Sequence, residues 1–444
     1  MTPPRPFHAG RQALRRAPRA RGFLCPLRAV WALLPAAGAG AAVFSVTNLG
    51  PLTDLPGRHE AQPKALNNQG LLAGANAVSN AYRALRYDGA AWRNLGTLGG
   101  PESAASGIND AGAVVGYALT AASVKRAFLW TAGGTNGSPA NPQMQDLGTL
   151  GGLQSEASAI NAAGHICGFA DNAATTRAFL RTGTNLTDIG TWIQARLGLP
   201  TSFAYALNAT GAVVGAAYSS NLKTMRAFRL AGTNAVDLGD LGGGAAEALA
   251  VNDAGWAVGD SATAAGTDHA FLHDGARLRD LGTLGGRYSY ALGINRHGWV
   301  VGGSYVDSAD SVYRAFLYAD GALLDLNTRL DASGSGWVLE EARAVNDAGQ
   351  IAGTGRLDGR RCAFLLTPVA PVFTALTAPG SNVVVRFSTT AASRYKLQAA
   401  DDPRGPLWTD VRTNLLGDGS PLSVTNAGDG GRSARFYRLR MAAP

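Results

Sequence analysis

Along most of the chain, short apolar, β-branched and aromatic runs are separated by clusters of Gly, Asn and Asp, which is the punctuation of strands and turns and not helical spacing. The stretch Leu278 to Gly302 is the plainest example. One strand ends in Asp280-Leu281-Gly282, a glycine-rich crossover follows, a second strand ends at Asn295, a tight turn closes at Gly298, and a third strand reaches Gly302. Almost every other part of the chain is a variation on this phrase.

An Asn-x-x-Gly-x-x-x-Gly phrase begins at Asn67, Asn109, Asn161, Asn208, Asn252, Asn295 and Asn346, at a mean interval of about 46 residues. A basic residue followed by Ala and usually Phe occurs once per interval, as at Arg83, Arg126, Arg177, Arg226, His269 and Arg314, with Cys362 in the last copy. The third signature is Asn48-Leu49-Gly50, Asn94-Leu95-Gly96 and then the copies led by Asp146, Asp188, Asp237, Asp280 and Asp325. Each period holds four strand-like runs, with hairpin dipeptides such as Asp88-Gly89 and Asp274-Gly275, and four strands in such a repeat make one propeller blade.

The phase of the repeats predicts how the ring closes. The first Asn-Leu-Gly precedes the first Asn phrase, and no third signature follows the last Ala-Phe at Ala363, so the chain starts with an outer strand and ends with a blade lacking one. Pairing Val43 to Leu49 onto the segment ending near Thr367 completes seven blades and removes the open edges of an unclosed array. The expected fold is all-β: a seven-bladed β-propeller over residues 43–368, closed by its N-terminal strand, then a small β-sandwich-like domain over 369–444. The departures from the repeat, at the crossovers 191–206 with Trp192 and 328–344 with Trp337 and at the hairpin 131–145, read as surface loops where specificity resides.

Charge changes the picture only at the N-terminus. The chain is formally +8, but seven arginines lie before position 43, where no acid occurs, so the remainder carries about +1. A basic face suited to nucleic acid is therefore not expected. Residues 1–42 have the three parts of a secretory signal: an Arg-rich start, an apolar run from Ala29 to Leu34, and the small residues Ala36 to Ala42. That apolar run is short for a transmembrane span, and no other segment of the mature chain offers one. With Cys25 in the leader, Cys167 and Cys362 fall in repeats too distant to bridge and read as core residues.

The joined phrases at Asp280 to Gly286, Ile108 to Gly116 and Arg126 to Trp130 resemble the bacterial extracellular repeat known as the HAF family, over about residues 46 to 367. The resemblance implies an exported protein and transfers no activity. The tail, with Tyr395-Lys396-Leu397, Trp408 and Arg435 to Leu439, resembles small C-terminal β-domains of secreted bacterial proteins.

No nucleophile or metal-ligand motif is present: His59, His165, His269, His273 and His297 occupy different repeat positions, and the Asp110 and Asp253 turns lack the alternating ligands of a calcium loop. These two aspartates read as Asx turns that hold their own backbone. The recurring Arg126, Arg177, Arg226, His269 and Arg314 are expected to pair with Asp146, Asp188, Asp237, Asp280 and Asp325 for structural reasons, since partly buried charges need partners. The binding candidates are Trp256 and Trp299, which follow the turn glycine in consecutive repeats, with His297 beside them and Trp192 and Trp337 in the long crossovers. The alternative for each indole is packing on its own hairpin.

The sequence thus describes an exported, monomeric, non-catalytic scaffold that binds a protein or glycan and needs no cofactor or metal. A polysaccharide-active hydrolase or lyase would instead require clustered acids or His at the channel mouth, and a purely structural envelope component is the third reading.

Overall fold

A computed structural model describes residues 42–53, 62–78, 80–369, 373–377, 382–387, 394–401, 407–416, 421–427 and 436–442. Residues 1–41 of the proposed leader, with Cys25, and also His59, lie outside the described residues. The protein is all-β and propeller-like. Among the described residues it forms seven four-stranded antiparallel sheets and two three-stranded ones. Sheets 1 to 6 each use four consecutive strands, spanning 62–94, 99–146, 155–188, 201–237, 242–280 and 289–325. Sheet 7 takes Trp337–Val345, Ile351–Leu357 and Arg360–Pro368, and its fourth strand is the N-terminal Phe44–Pro51. The expected closure is thereby realised, with Phe44 opposite Pro368 and Val46 opposite Leu366.

The crossover between sheets 6 and 7 has a job that its length alone did not reveal. Its 3-10 turn at Ala332–Gly334 fastens the returning N-terminal strand: Ser333 Oγ accepts from Val46 N at 2.7 Å, and Asp331 N donates to Phe44 O at 2.9 Å. Trp337 packs edge-on against Phe364 inside the same core. The crossover before sheet 4 forms the helix Gly190–Leu197, whose Ile193 is buried between sheets 3 and 4 and whose Trp192 is part-buried beside it.

The three repeated signatures lie in one row across every sheet. In sheet 6, Gly302 opposes Phe316 and Phe316 opposes Asp325; in sheet 4 the row is Gly215, Phe228 and Asp237. The glycine here answers close packing and not a turn. A Cβ on Gly215 would collide with the carbonyl oxygen of Phe203 on the first strand, and the Phe228 ring tip stands 3.0 Å from where it would be. In six of the rows a fully buried phenylalanine fills the space that the glycine leaves, and in sheet 1 Leu85 does so.

The row also explains the recurring aspartates. Asp146 Oδ1 accepts from Gly148 N at 2.8 Å, Asp237 from Gly239 N at 2.9 Å and Asp280 from Gly282 N at 2.7 Å, so each holds its own turn. Asp325 does the same with Asn327 N, and Asp188 receives Thr191 N. The expected pairing with the basic residue occurs in one copy, His269 Nδ1 to Asp280 at 2.9 Å. Elsewhere it is corrected: Arg226 pairs with Asp240 at 2.8 Å, Arg177 donates to Gln194 Oε1, and neither Arg126 with Asp146 nor Arg314 with Asp325 is joined. In every copy that has one, the aspartate faces the phenylalanine two residues beyond the basic residue, so the two charges are diagonal neighbours and not direct cross-strand partners, and only His269 bridges the offset.

After the sheets, Phe373–Thr377, Val383–Phe387 and Leu422–Asn426 form one three-stranded sheet, and Arg394–Ala400, Thr409–Leu416 and Phe436–Ala442 another. Val385, Phe387, Tyr395, Leu397 and Leu439, drawn from both, share one core. Cys167 and Cys362 are both free and buried, and burial pushes the Cys167 thiol up to about 12. No described helix is long and apolar enough to cross a membrane.

Candidate functional site

The first strands of all seven sheets meet around one axis, and the two ends of that axis differ in kind. At the end where each first strand turns into the second, the Asn of every repeat joins a closed ring. Asn67 Nδ2 donates to Asn109 O at 2.9 Å, Asn109 to Asn161 O, Asn161 to Asn208 O and Asn208 to Asn252 O. Asn252 continues to Asn295 O, Asn295 to Asn346 O, and Asn346 returns to Asn67 O at 3.0 Å. Each Oδ1 meanwhile holds its own turn, as Asn295 does for His297 N and Trp299 N at 3.0 Å. Asparagine is needed because one side chain must accept locally and donate to the neighbour at once. The ring surrounds an open mouth of about 290 Å³.

Asp110 and Asp253 belong to this contact between repeats and not to their own turns. Asp110 Oδ1 accepts from Asn68 N at 2.9 Å and Asp253 Oδ1 from Ala209 N at 2.8 Å, each a residue of the preceding sheet. Trp256 and Trp299 act likewise. Both are part-buried, and Trp256 covers Gly298 of the next turn while Trp299 covers Gly349 of the one after: a Cβ at these glycines would lie 2.8 and 2.9 Å from the indole. The indoles therefore clamp adjacent repeats, which differs from both the exposed pair and the packing on their own hairpins that the sequence suggested. His297 is exposed at the turn, where its Nε2 accepts from Arg296 Nε at 3.2 Å. Trp192 precedes the first strand of its sheet and Trp337 opens the first strand of its own, so chain direction places them at the opposite end, and the five candidate residues do not converge.

That opposite end carries a side-chain cluster which no repeated motif announced. It is built from the residue five positions before each ring asparagine, which reads Gln62, Ala104, Glu156, Phe203, Glu247, Tyr290 and Glu341, together with second-strand partners. Between sheets 3 and 4, Phe169 meets Phe203 edge-on at 4.8 Å, Phe203 lies parallel to Tyr205 at 6.4 Å, and Tyr218 meets Phe203 at 5.5 Å. Beyond this aromatic wall stand Glu247 and Asp260, directly opposite one another on paired strands of sheet 5. Two like charges so placed repel, and both are shielded from water. Burial first, then the neighbouring Glu247 and Asp268, pushes the Asp260 carboxyl up to about 8. Burial raises Glu247 as well, against the Tyr205 hydroxyl that favours its ionised form.

The phenols respond to the same acids. Tyr205 and Tyr218 are raised by burial and by Glu247, and Tyr290, across from Asp260 on sheet 6, is pushed up to about 12 by burial, Asp268 and Asp260. At the same end, a groove of about 370 Å³ between sheets 2 and 3 is lined by Tyr117, Lys125 and the exposed Leu153. The signal for this cluster is a column of the repeat whose chemistry changes from copy to copy, between apolar, aromatic and acidic residues. The column after the turn glycine, where tryptophan is conspicuous, is structural instead.

Among the described residues no group of three or more His, Cys, Asp or Glu is placed to hold a metal ion. No protein-family model matches the chain, and comparison with the curated proteins finds no relative.

Proposed function

We propose that the chain is an exported, monomeric seven-bladed β-propeller of HAF-type repeats, closed by its N-terminal strand and followed by a β-sandwich-like accessory domain. Its function is to bind a glycan, without catalysis, at the end of the axis opposite the asparagine ring. The observation that carries this reading is the wall of Phe169, Phe203, Tyr205 and Tyr218 set against the Glu247 and Asp260 carboxyls, because apolar ring faces beside hydrogen-bonding groups suit sugar rings. A glycan array probed with the full chain tests it. Retention of a defined glycan set, lost in Tyr205→Ala and weakened in Tyr205→Phe, is the expected result, and retention of none overturns it.

The acid pair favours a second reading, a polysaccharide hydrolase in which a carboxyl kept protonated near neutral pH acts as general acid. Release of reducing ends from a bound polysaccharide, abolished by Glu247→Gln, would establish this reading in place of the first.

A further inference from the structure

Not all acids near the axis are alike. Glu156 is neutralised within the chain by Lys125 at 2.5 Å, whose ammonium also sits 4.0 Å from the Tyr117 ring centre. Glu341 is met by Arg343 at 2.7 Å, and the adjacent Glu340 by Arg356 at 2.8 Å. Glu247, Asp260 and Asp268 break this rule: no basic group pairs with any of them among the described residues. Asp260 is only 9% exposed, and the groups that act on its carboxyl are the acids Glu247 and Asp268, with no hydrogen-bond donor among them. A buried carboxyl without a partner is costly, and folds normally supply one. Here the groups facing it are the acids Glu247 and Asp268 of its own sheet and the uncharged phenols of Tyr218 on sheet 4 and Tyr290 on sheet 6, while Tyr205 faces Glu247, and no cation stands among them.

We propose that the unpaired Glu247–Asp260 face receives the ammonium group of an amino sugar, with the neighbouring aromatic wall taking the sugar ring. The ligand would supply the cation that Lys125 supplies to Glu156 and Arg343 to Glu341. The chemistry of the walls selects it: carboxyls bind the ammonium by charge-assisted hydrogen bonds, and tyrosine faces attract both a cation and the C–H face of a sugar. A metal ion fits less well, since the three acids are not grouped to hold one. The charge balance is simple: as the ammonium enters, the proton held on Asp260 leaves to solvent, so the net charge of the site is unchanged and no carbon–heteroatom bond forms or breaks. This inference rests on the glycan reading and names its ligand class.

The test is calorimetric titration of the full chain with a chitosan hexasaccharide, whose amines are free, and with the fully N-acetylated chitin hexasaccharide, in two buffers of different protonation enthalpy. The chitosan oligomer should bind at least about tenfold more tightly and release protons. Asp260→Asn should abolish both the preference and the proton release while the protein stays folded, and Glu247→Gln should do so in part. Equal affinities without proton release would overturn the ammonium assignment but leave the glycan reading standing. Binding of spermine but of neither oligosaccharide would overturn the sugar assignment, and binding of none of the three would overturn this proposal together with the glycan reading at this site.

Discussion

The two ends of the axis are made by the same seven strands and obey opposite rules. At the asparagine end every repeat contributes the same residue, and each side-chain donor and acceptor in the ring finds a partner, from Asn67 round to Asn346 and back. At the other end the corresponding column changes from Gln62 to Phe203 to Glu247 to Tyr290, and its carboxyls crowd one another. The first end holds sheet to sheet. The second stores an electrostatic cost, and such costs persist in folds where something other than stability depends on them.

This contrast can be broken at the frame or at the cluster, and the frame should give the largest effects. Gly215→Ala places a methyl on the Phe203 carbonyl and in the path of the Phe228 ring, so it should cost more than about 3 kcal/mol or prevent folding altogether. Chemical denaturation measures it, and near-normal stability would show that the glycine row does not set the strand spacing. Asn295→Ala strips partners from His297 N, Trp299 N and Asn346 O and should cost about 2 to 4 kcal/mol. A melting temperature unchanged in that variant would deny the ring its structural role.

At the cluster the sign reverses. The Asp260 carboxyl titrates at about 8 in the fold and about 3.9 when unfolded. The stability it contributes is therefore fully present below the unfolded value and is lost as pH rises towards 8. Asp260→Asn should consequently melt higher than the parent at pH 8, and the gap should close as pH falls towards 4. A gap independent of pH would mean that the carboxyl is not strained. The smallest effect belongs to the part-exposed Arg226–Asp240 pair, where Arg226→Ala should cost less than about 1 kcal/mol. Arg314→Ala, with no joined aspartate to lose, should be no larger than that, and a loss of several kcal/mol would restore a structural role to the recurring arginines.

Much of the frame was legible because it is periodic. The repeat phase placed the N-terminal strand on the last sheet, and the turn dipeptides and asparagines marked where strands end, since local backbone chemistry repeats with the residues that impose it. Partners across sheets were not legible. The sequence paired Arg314 with Asp325, whereas register sets that aspartate opposite Phe316; it read Asp110 as holding its own turn, whereas the carboxylate reaches the sheet before. Trp256 and Trp299 looked like a binding pair and instead cover glycines of the following turns.

What the sequence determined alone is the strand content, the sevenfold period and the residues that must be small or must turn, because these follow from nearest-neighbour sterics and hydrogen bonding along one chain. Only the tertiary structure decided which unlike residues meet. Tyr205, Tyr290 and the Glu247–Asp260 hairpin pair come from three different sheets. Their shared burial, and with it the altered acidity that singles them out, exists only once the sheets are packed side by side.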